Sequence, residues 1–118
     1  MQTKQEMIEK QNLISELQKK IEQTYTWICM DESEKAVFQT KELLSDIQIL
    51  ITSLISEIPY YRTLGVDLPE QIILEQLTNL LDGIENNDMV QIGDSLKYEI
   101  GDTLMVYSEI LEELLKEE

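Results

Sequence analysis

The sequence predicts an all-α fold, an antiparallel up-down-up-down four-helix bundle in a single domain. Three observations predict it. Four segments carry apolar residues at helical spacing. The 118 residues include only four glycines and two prolines, too few for the many turns of a sandwich or barrel. The joints between the periodic segments are short, which makes consecutive helices antiparallel neighbours. A dimer of hairpins that exchange helices satisfies the same pattern and is the rival arrangement.

The first helix is expected over about residues 3–29. Met7, Ile14, Ile21 and Ile28 recur at heptad spacing, with Leu17 and Leu13 or Tyr25 between them. Glu6–Lys10 and Glu16–Lys20 are i,i+4 pairs in the favoured order, and Lys4, Lys10 and Lys19 are expected to face water. Asp31 or Ser33 then caps a second helix over 33–57, with Glu32 and Glu34 suiting the positive end of its dipole. Val37, Thr40, Leu44, Ile47, Ile51, Leu54 and Ile58 form its stripe, widened by Leu43, Leu50 and Ile55. So wide a face should touch more than one helix, and Ile47, Ile51 and Leu54 at its middle are the expected deepest core.

Pro59 is expected to end that helix, because its ring disfavours helix at Ile58 and it has no N–H. Asp67 is the expected N-cap of a third helix over about 68–86, with Glu70 closing a capping box. Ile73, Leu77, Leu80 and Ile84 are its stripe. Asp88 and Gln91 form a second box at the head of the fourth helix, over 89–116. Its stripe is Met89, Ile92, Leu96, Ile100, Thr103, Tyr107, Ile110 and Leu114. Gly101 inside it costs roughly 1 kcal/mol against alanine. A bend or a close helix contact is expected there.

Nine bases stand against 24 acids, a net charge of -15. The charge is uneven. Residues 1–62 hold ten acids and seven bases, whereas residues 63–118 hold fourteen acids and only Lys97 and Lys116. Such a surface repels nucleic acid and anionic lipid and favours basic partners. With no histidine, Ser-His-Asp triads, zinc proteases and Glu-x-x-His di-iron bundles are excluded. Cys29 is alone, so no intrachain disulfide forms and a reducing, cytoplasmic location is expected. The first residues lack an apolar signal core, and the longest uncharged run, Ile47–Ser56, is well short of the roughly 18 residues of a membrane span. Neither secretion nor a membrane span is expected.

Asp82, Glu85 and Asp88 gather around the third joint, and Asp94, Glu99 and Asp102 lie on the fourth helix. Their spacing is not that of an EF-hand, and they read as solvated faces and caps. No catalytic residue, cofactor or metal site is expected. Glu99 falls between stripe positions and should be partly buried, with tyrosine hydroxyls as donors. The long connection at 59–66 holds Tyr60, Tyr61, the only arginine, Arg62, and Leu64. These are the expected partner-binding residues, three of them of hot-spot type on a loop held between rigid helices. The competing reading is that Tyr60, Tyr61 and Leu64 plug the open end of the bundle.

Glu85, Asn86 and Asp88 in the turn, then Gly93, Asp94, Leu96, Tyr98, Glu99 and Ile100, resemble a segment of small acidic helical proteins of Gram-positive bacteria with no assigned activity. The helix before Pro59 is similar too, in Phe38 and the run Leu44 to Leu50. Gly101-Asp102 departs from the proline-containing continuation of that pattern. The resemblance implies a helical fold and supplies no catalytic residue. In size and organisation the chain also resembles flagellar-type export chaperones, a likeness of fold alone. The expected function is a non-enzymatic interaction module, adaptor or chaperone-like. Its groove would take an amphipathic segment of another protein, with an acidic rim selecting a basic ligand. Direct nucleic-acid and membrane binding are not expected, and homodimerisation is left open. The alternative is an acidic nucleic-acid mimic that inhibits a nucleic-acid-binding protein.

Overall fold

A computed structural model of the chain describes residues 2–117. Four helices make up the fold: α1 (Lys4–Cys29), α2 (Ser33–Thr63), α3 (Glu70–Glu85) and α4. The last comprises Met89–Asp94, Ser95–Ile100 and Gly101–Lys116, which continue into one another with helical backbone angles at both junctions. Of the described residues 87% are helical, and none is in a strand. No helix among them is long and apolar enough to cross a membrane. α1 packs on α2 and α4, and α3 packs on α4 and on α2. The four stripes close over one core, with Ile14, Ile47, Leu80, Ile92, Leu96 and Leu104 wholly buried.

α1 starts as expected, with Thr3 Oγ1 accepting from the Glu6 N–H at 3.1 Å. Met7, Ile14, Leu17 and Ile21 are buried, but the last buried position is Thr24 rather than Ile28. Thr24 is satisfied locally: its hydroxyl donates to the Lys20 carbonyl and accepts from Gln39 Nε2 of α2. Lys10 departs from its expected exposure and from its pairing with Glu6, and is bound to Glu57 of α2. Neither Asp31 nor Ser33 caps α2. Glu32 occupies the cap without a side-chain bond, Ser33 is already helical, and Asp31 takes a φ of 61° to reverse the chain. Asn87 does the same between α3 and α4, at a φ of 53°. Both are residue types that tolerate the left-handed region.

Two boundaries near the joint move. α2 continues through Pro59 to Thr63 instead of stopping near residue 57. The proline removes one intrahelical bond, a cost of about 3 kcal/mol in a helix interior. The turn beyond it is held nonetheless, because Ile58 and Tyr61 are buried and the Tyr61 hydroxyl binds Glu57. The joint therefore shrinks to Leu64–Pro69. α3 begins at Glu70 with Pro69 at its cap, so Asp67 caps nothing and Glu70 closes no box. Asp67 is drawn to Arg62 instead, Oδ1 to Nε 3.3 Å. At the head of α4 half of the expected box forms. Asp88 Oδ1 accepts from the Gln91 N–H at 3.1 Å, while the Gln91 side chain reaches the Asn79 carbonyl of α3.

In α4 the expected positions Ile92, Leu96, Ile100 and Tyr107 are buried, while Thr103 and Ile110 give way to their neighbours Leu104 and Leu111. The cause is a π turn over Ser95–Ile100. Buried residues four apart outrun a 3.6-residue turn, and one wider turn brings the seam back onto the core. The Gly101 N–H closes that turn on the Leu96 carbonyl. A Cβ at Gly101 would lie 2.8 Å from that carbonyl oxygen. Gly101 thus serves the π turn, and no other helix comes close to it.

Candidate functional site

The first turns of α1, the last turns of α2 and the end of α4 frame a cleft of about 710 Å³. Its polar floor is Glu57. Ser53, Glu57 and Tyr61 stand at i, i+4 and i+8 on one flank of the α2 stripe, so one side of the helix supplies three members of a single network. Glu57 Oε2 accepts from Lys10 Nζ at 2.8 Å and Ser53 Oγ at 2.6 Å. Oε1 accepts from Gln2 Nε2 at 3.0 Å and from the Tyr61 hydroxyl. The Tyr107 hydroxyl of α4 lies 3.0 and 2.9 Å from the two oxygens and 3.1 Å from Ser53 Oγ.

Burial of Glu57 works against its charge. Bonds from Lys10, Ser53, Tyr61 and Tyr107 outweigh that effect and hold the carboxyl below the usual range. Tyr61 and Tyr107 are pushed well above the ordinary tyrosine value, chiefly by burial and then by the neighbouring carboxylate. Glu57 is thus a carboxylate kept ionised, with both oxygens occupied by protein donors. A general base needs a free lone pair facing substrate. The chemistry of this arrangement is to tie α1, α2 and α4 together at one end.

The four residues expected to bind a partner separate here. Tyr61 is 0% exposed and belongs to the Glu57 network, so it is a plug of the core. Tyr60 is 41% exposed on the wall of the cleft. Leu64 is 50% exposed, and Arg62 points to Asp67 at the surface. Sequence reasoning missed Lys10, Ser53, Glu57 and Tyr107. The readable signal was a polar i, i+4, i+8 row flanking an apolar stripe.

A second opening runs along the seam between α3 and α4, starting at the joint. It is a groove of about 320 Å³. Leu54, Leu68, Ile73 and Val106 give it apolar walls, and Glu99 and Asp102 stand at its edge. Two polar bridges cross the seam: Thr103 Oγ1 donates to Gln76 Oε1 at 2.6 Å, and Asn79 Nδ2 donates to Glu99 Oε1 at 3.2 Å. Glu99 is half-buried as expected, but its donor is this asparagine rather than a tyrosine. Tyr98 borders both this groove and the α1 side of α4, where it stands with Lys97 and Tyr25. There the Lys97 ammonium lies 4.3 Å from the Tyr25 ring centre. Tyr98 meets Tyr25 edge to face at 6.0 Å.

Cys29 is exposed at the end of α1. Among the described residues no group of three carboxylates or thiols converges as metal ligands. No protein-family model, curated protein or solved structure matches the chain.

Proposed function

We propose that this chain is a non-enzymatic protein-interaction module, adaptor-like or chaperone-like, that binds a segment of another protein at the joint end. The observation that carries this reading is the contrast at that end. Tyr61 is locked into the core, while Tyr60 and Leu64 stand exposed on either side of it. Large apolar side chains held rigidly at a surface otherwise rich in carboxylates are the composition of an interface centre. The saturated state of Glu57 supports the non-enzymatic part. The packing of α1 on α2 and α4, and of α3 on α4 and α2, supports an antiparallel up-down-up-down bundle as the scaffold.

The test pairs capture with stability. Tyr60→Ala with Leu64→Ala should abolish capture of the native partner from cell extract while leaving the melting temperature unchanged, since both side chains are exposed. Retained capture by that variant overturns the joint-end surface. The acidic asymmetry of the chain favours a second reading, an acidic mimic that occupies the basic groove of a nucleic-acid-binding protein. Mimicry weakens steeply between low and physiological salt, and apolar docking far less.

A further inference from the structure

We propose that the seam between α3 and α4 is a docking groove for a basic amphipathic helix of a partner protein. The apolar side of that helix would sit on Leu68 and Val106, and its lysines or arginines would meet Glu99 and Asp102. This rests on the reading of the chain as an interaction module and names the ligand class and the seat. Four observations carry it.

The seam is open where it should be closed. Polar bridges, Gln76–Thr103 and Asn79–Glu99, cross it beside the buried apolar contact of the two helices. They tie the two helices to each other across the opening, so the groove is preformed and needs little ordering on binding. The apolar surface it offers comes from Leu68, Pro69 and Val106, over the buried Leu54 and Ile73.

Its charge is one-sided. Glu99 and Asp102 line the groove, and no lysine or arginine does. Among the described residues Asp102 has no hydrogen-bond or ion-pair partner from another side chain, and Glu99 has only the neutral Asn79. The cations that could neutralise the rim are engaged elsewhere. Lys97 shares the neighbouring opening on the α1 side with Asp102, but its ammonium lies over Tyr25 and pairs with Glu22 at 3.8 Å; Arg62 is turned to Asp67, and Lys116 reaches Glu112 and Glu113. An apolar floor with an uncompensated acidic edge complements a helix that carries leucine-type anchors beside lysines or arginines.

The wall is shaped by the π turn. Tyr98 and Glu99 lie within Ser95–Ile100, and Tyr98 is 55% exposed at the groove. Single π turns inside α-helices are concentrated at functional positions. Finally, Leu68 and Pro69 belong to the joint, so the groove is continuous with the end of the molecule that carries Leu64.

The probe is a fluorescein-labelled amphipathic helix of leucine and lysine, about 18 residues or five turns long. It is read by anisotropy and by amide chemical shifts of the isotope-labelled protein, against a counterpart with glutamate for lysine. The lysine peptide should bind saturably, one to one, and shift amides of residues 68–76 and 98–106, and the glutamate peptide should not bind. Glu99→Gln with Asp102→Asn should raise Kd about tenfold, the order expected for losing partly desolvated ion pairs. Glu112→Gln with Glu113→Gln, equal in charge removed but outside the groove, should leave it nearly unchanged. Val106→Glu separates docking from mere attraction to an acidic protein, since it adds a carboxylate while spoiling the apolar seat. Weaker binding by Val106→Glu supports the groove, and equal or tighter binding overturns it. Equal losses from the two glutamine variants overturn it as well. Shifts centred on Tyr60–Leu64 overturn the groove while leaving the interaction module standing. Absence of saturable binding also overturns the groove, and the capture assay above then decides the module independently.

Discussion

Gly101 illustrates how one residue can invert a general preference. Alanine normally stabilises a helix over glycine by about 1 kcal/mol. Here its Cβ would meet the Leu96 carbonyl at 2.8 Å, against backbone that closes the π turn. Gly101→Ala should therefore destabilise the fold, by about 1–3 kcal/mol as overpacking does, measured by urea denaturation. A gain in stability would mean that the π turn relaxes to α without penalty. Glu57 offers the second residue-scale test. Glu57→Gln keeps the shape, loses the charge and leaves Lys10 without its counter-ion, so a loss of about 1.5–3 kcal/mol is expected at neutral pH. The pH dependence follows from the direction of the shift. The folded carboxyl is held below the unfolded value of 4.5, so its stabilisation is present above that pH and is lost as pH falls through the folded value. The stability gap between the wild type and Glu57→Gln should thus close in acid. Tyr61 and Tyr107 act at the other limit. Their folded values are raised above 10.0, so their contribution is intact below that pH and disappears as pH rises through the folded values. A gap that stays constant from neutral pH into acid would contradict the assignment of Glu57 as ionised.

At the scale of the element, apolar periodicity carried most of the fold, and local caps carried the least. Ile47, Ile51 and Leu54 are each at most 1% exposed, as the breadth of the α2 stripe required. Ile51→Ala should cost roughly 2–5 kcal/mol in chemical denaturation, as buried large-to-small changes do. The end of α2 was illegible because the rule at Pro59 is local, whereas the burial of Tyr61 against Glu57 is a contact across helices. Since the helix already runs through Pro59, Pro59→Ala restores an N–H to the Ile55 carbonyl. It should raise stability by about 1 kcal/mol or more, part of the roughly 3 kcal/mol that proline costs inside a helix. A fall in melting temperature would show that the Pro59 geometry is what seats Tyr61. The stripe of α4 kept Tyr107 but missed Leu104 and Leu111 by one residue, for a related reason. A constant 3.6-residue period cannot anticipate a wider turn, and the one local sign was Gly101. The candidate sites were legible only in part. Tyr60 and Leu64 stood out by residue type and joint, and Glu99 by its place beside the stripe. The partners of Glu57 come from three helices, and no pattern along one segment brings Lys10, Glu57 and Tyr107 together.

Across the whole molecule the governing quantity is charge against size. The described chain measures 45 × 25 × 18 Å, and residues 63–118 hold fourteen acids against two bases. At about 0.01 M salt the screening length is roughly 30 Å, longer than two of those three dimensions. Nearly every carboxylate of α3 and α4 then repels every other. At about 0.15 M the length falls to roughly 8 Å, and only adjacent groups still interact. The unfolded chain spreads the same charges further apart, so repulsion weighs on the folded state and salt removes it. The few ion pairs here pull the other way, but those of α4 are long and exposed, with Lys116 at 3.9 and 3.4 Å from Glu112 and Glu113. Exposed pairs of this kind are worth at most about 1 kcal/mol each. Repulsion should win, and the melting temperature should rise with sodium chloride over that range. Asp82→Lys tests the cause separately. Asp82 is exposed in the last turn of α3, which contains no basic residue, so a lysine there both relieves repulsion and suits the negative helix end. The variant should be more stable at low salt by about 0.3–1 kcal/mol, with a flatter salt dependence than the wild type. A melting temperature that is flat or falls with salt would show that the acids of α3 and α4 are already compensated. The uncompensated rim of Glu99 and Asp102 would then lose its basis in charge.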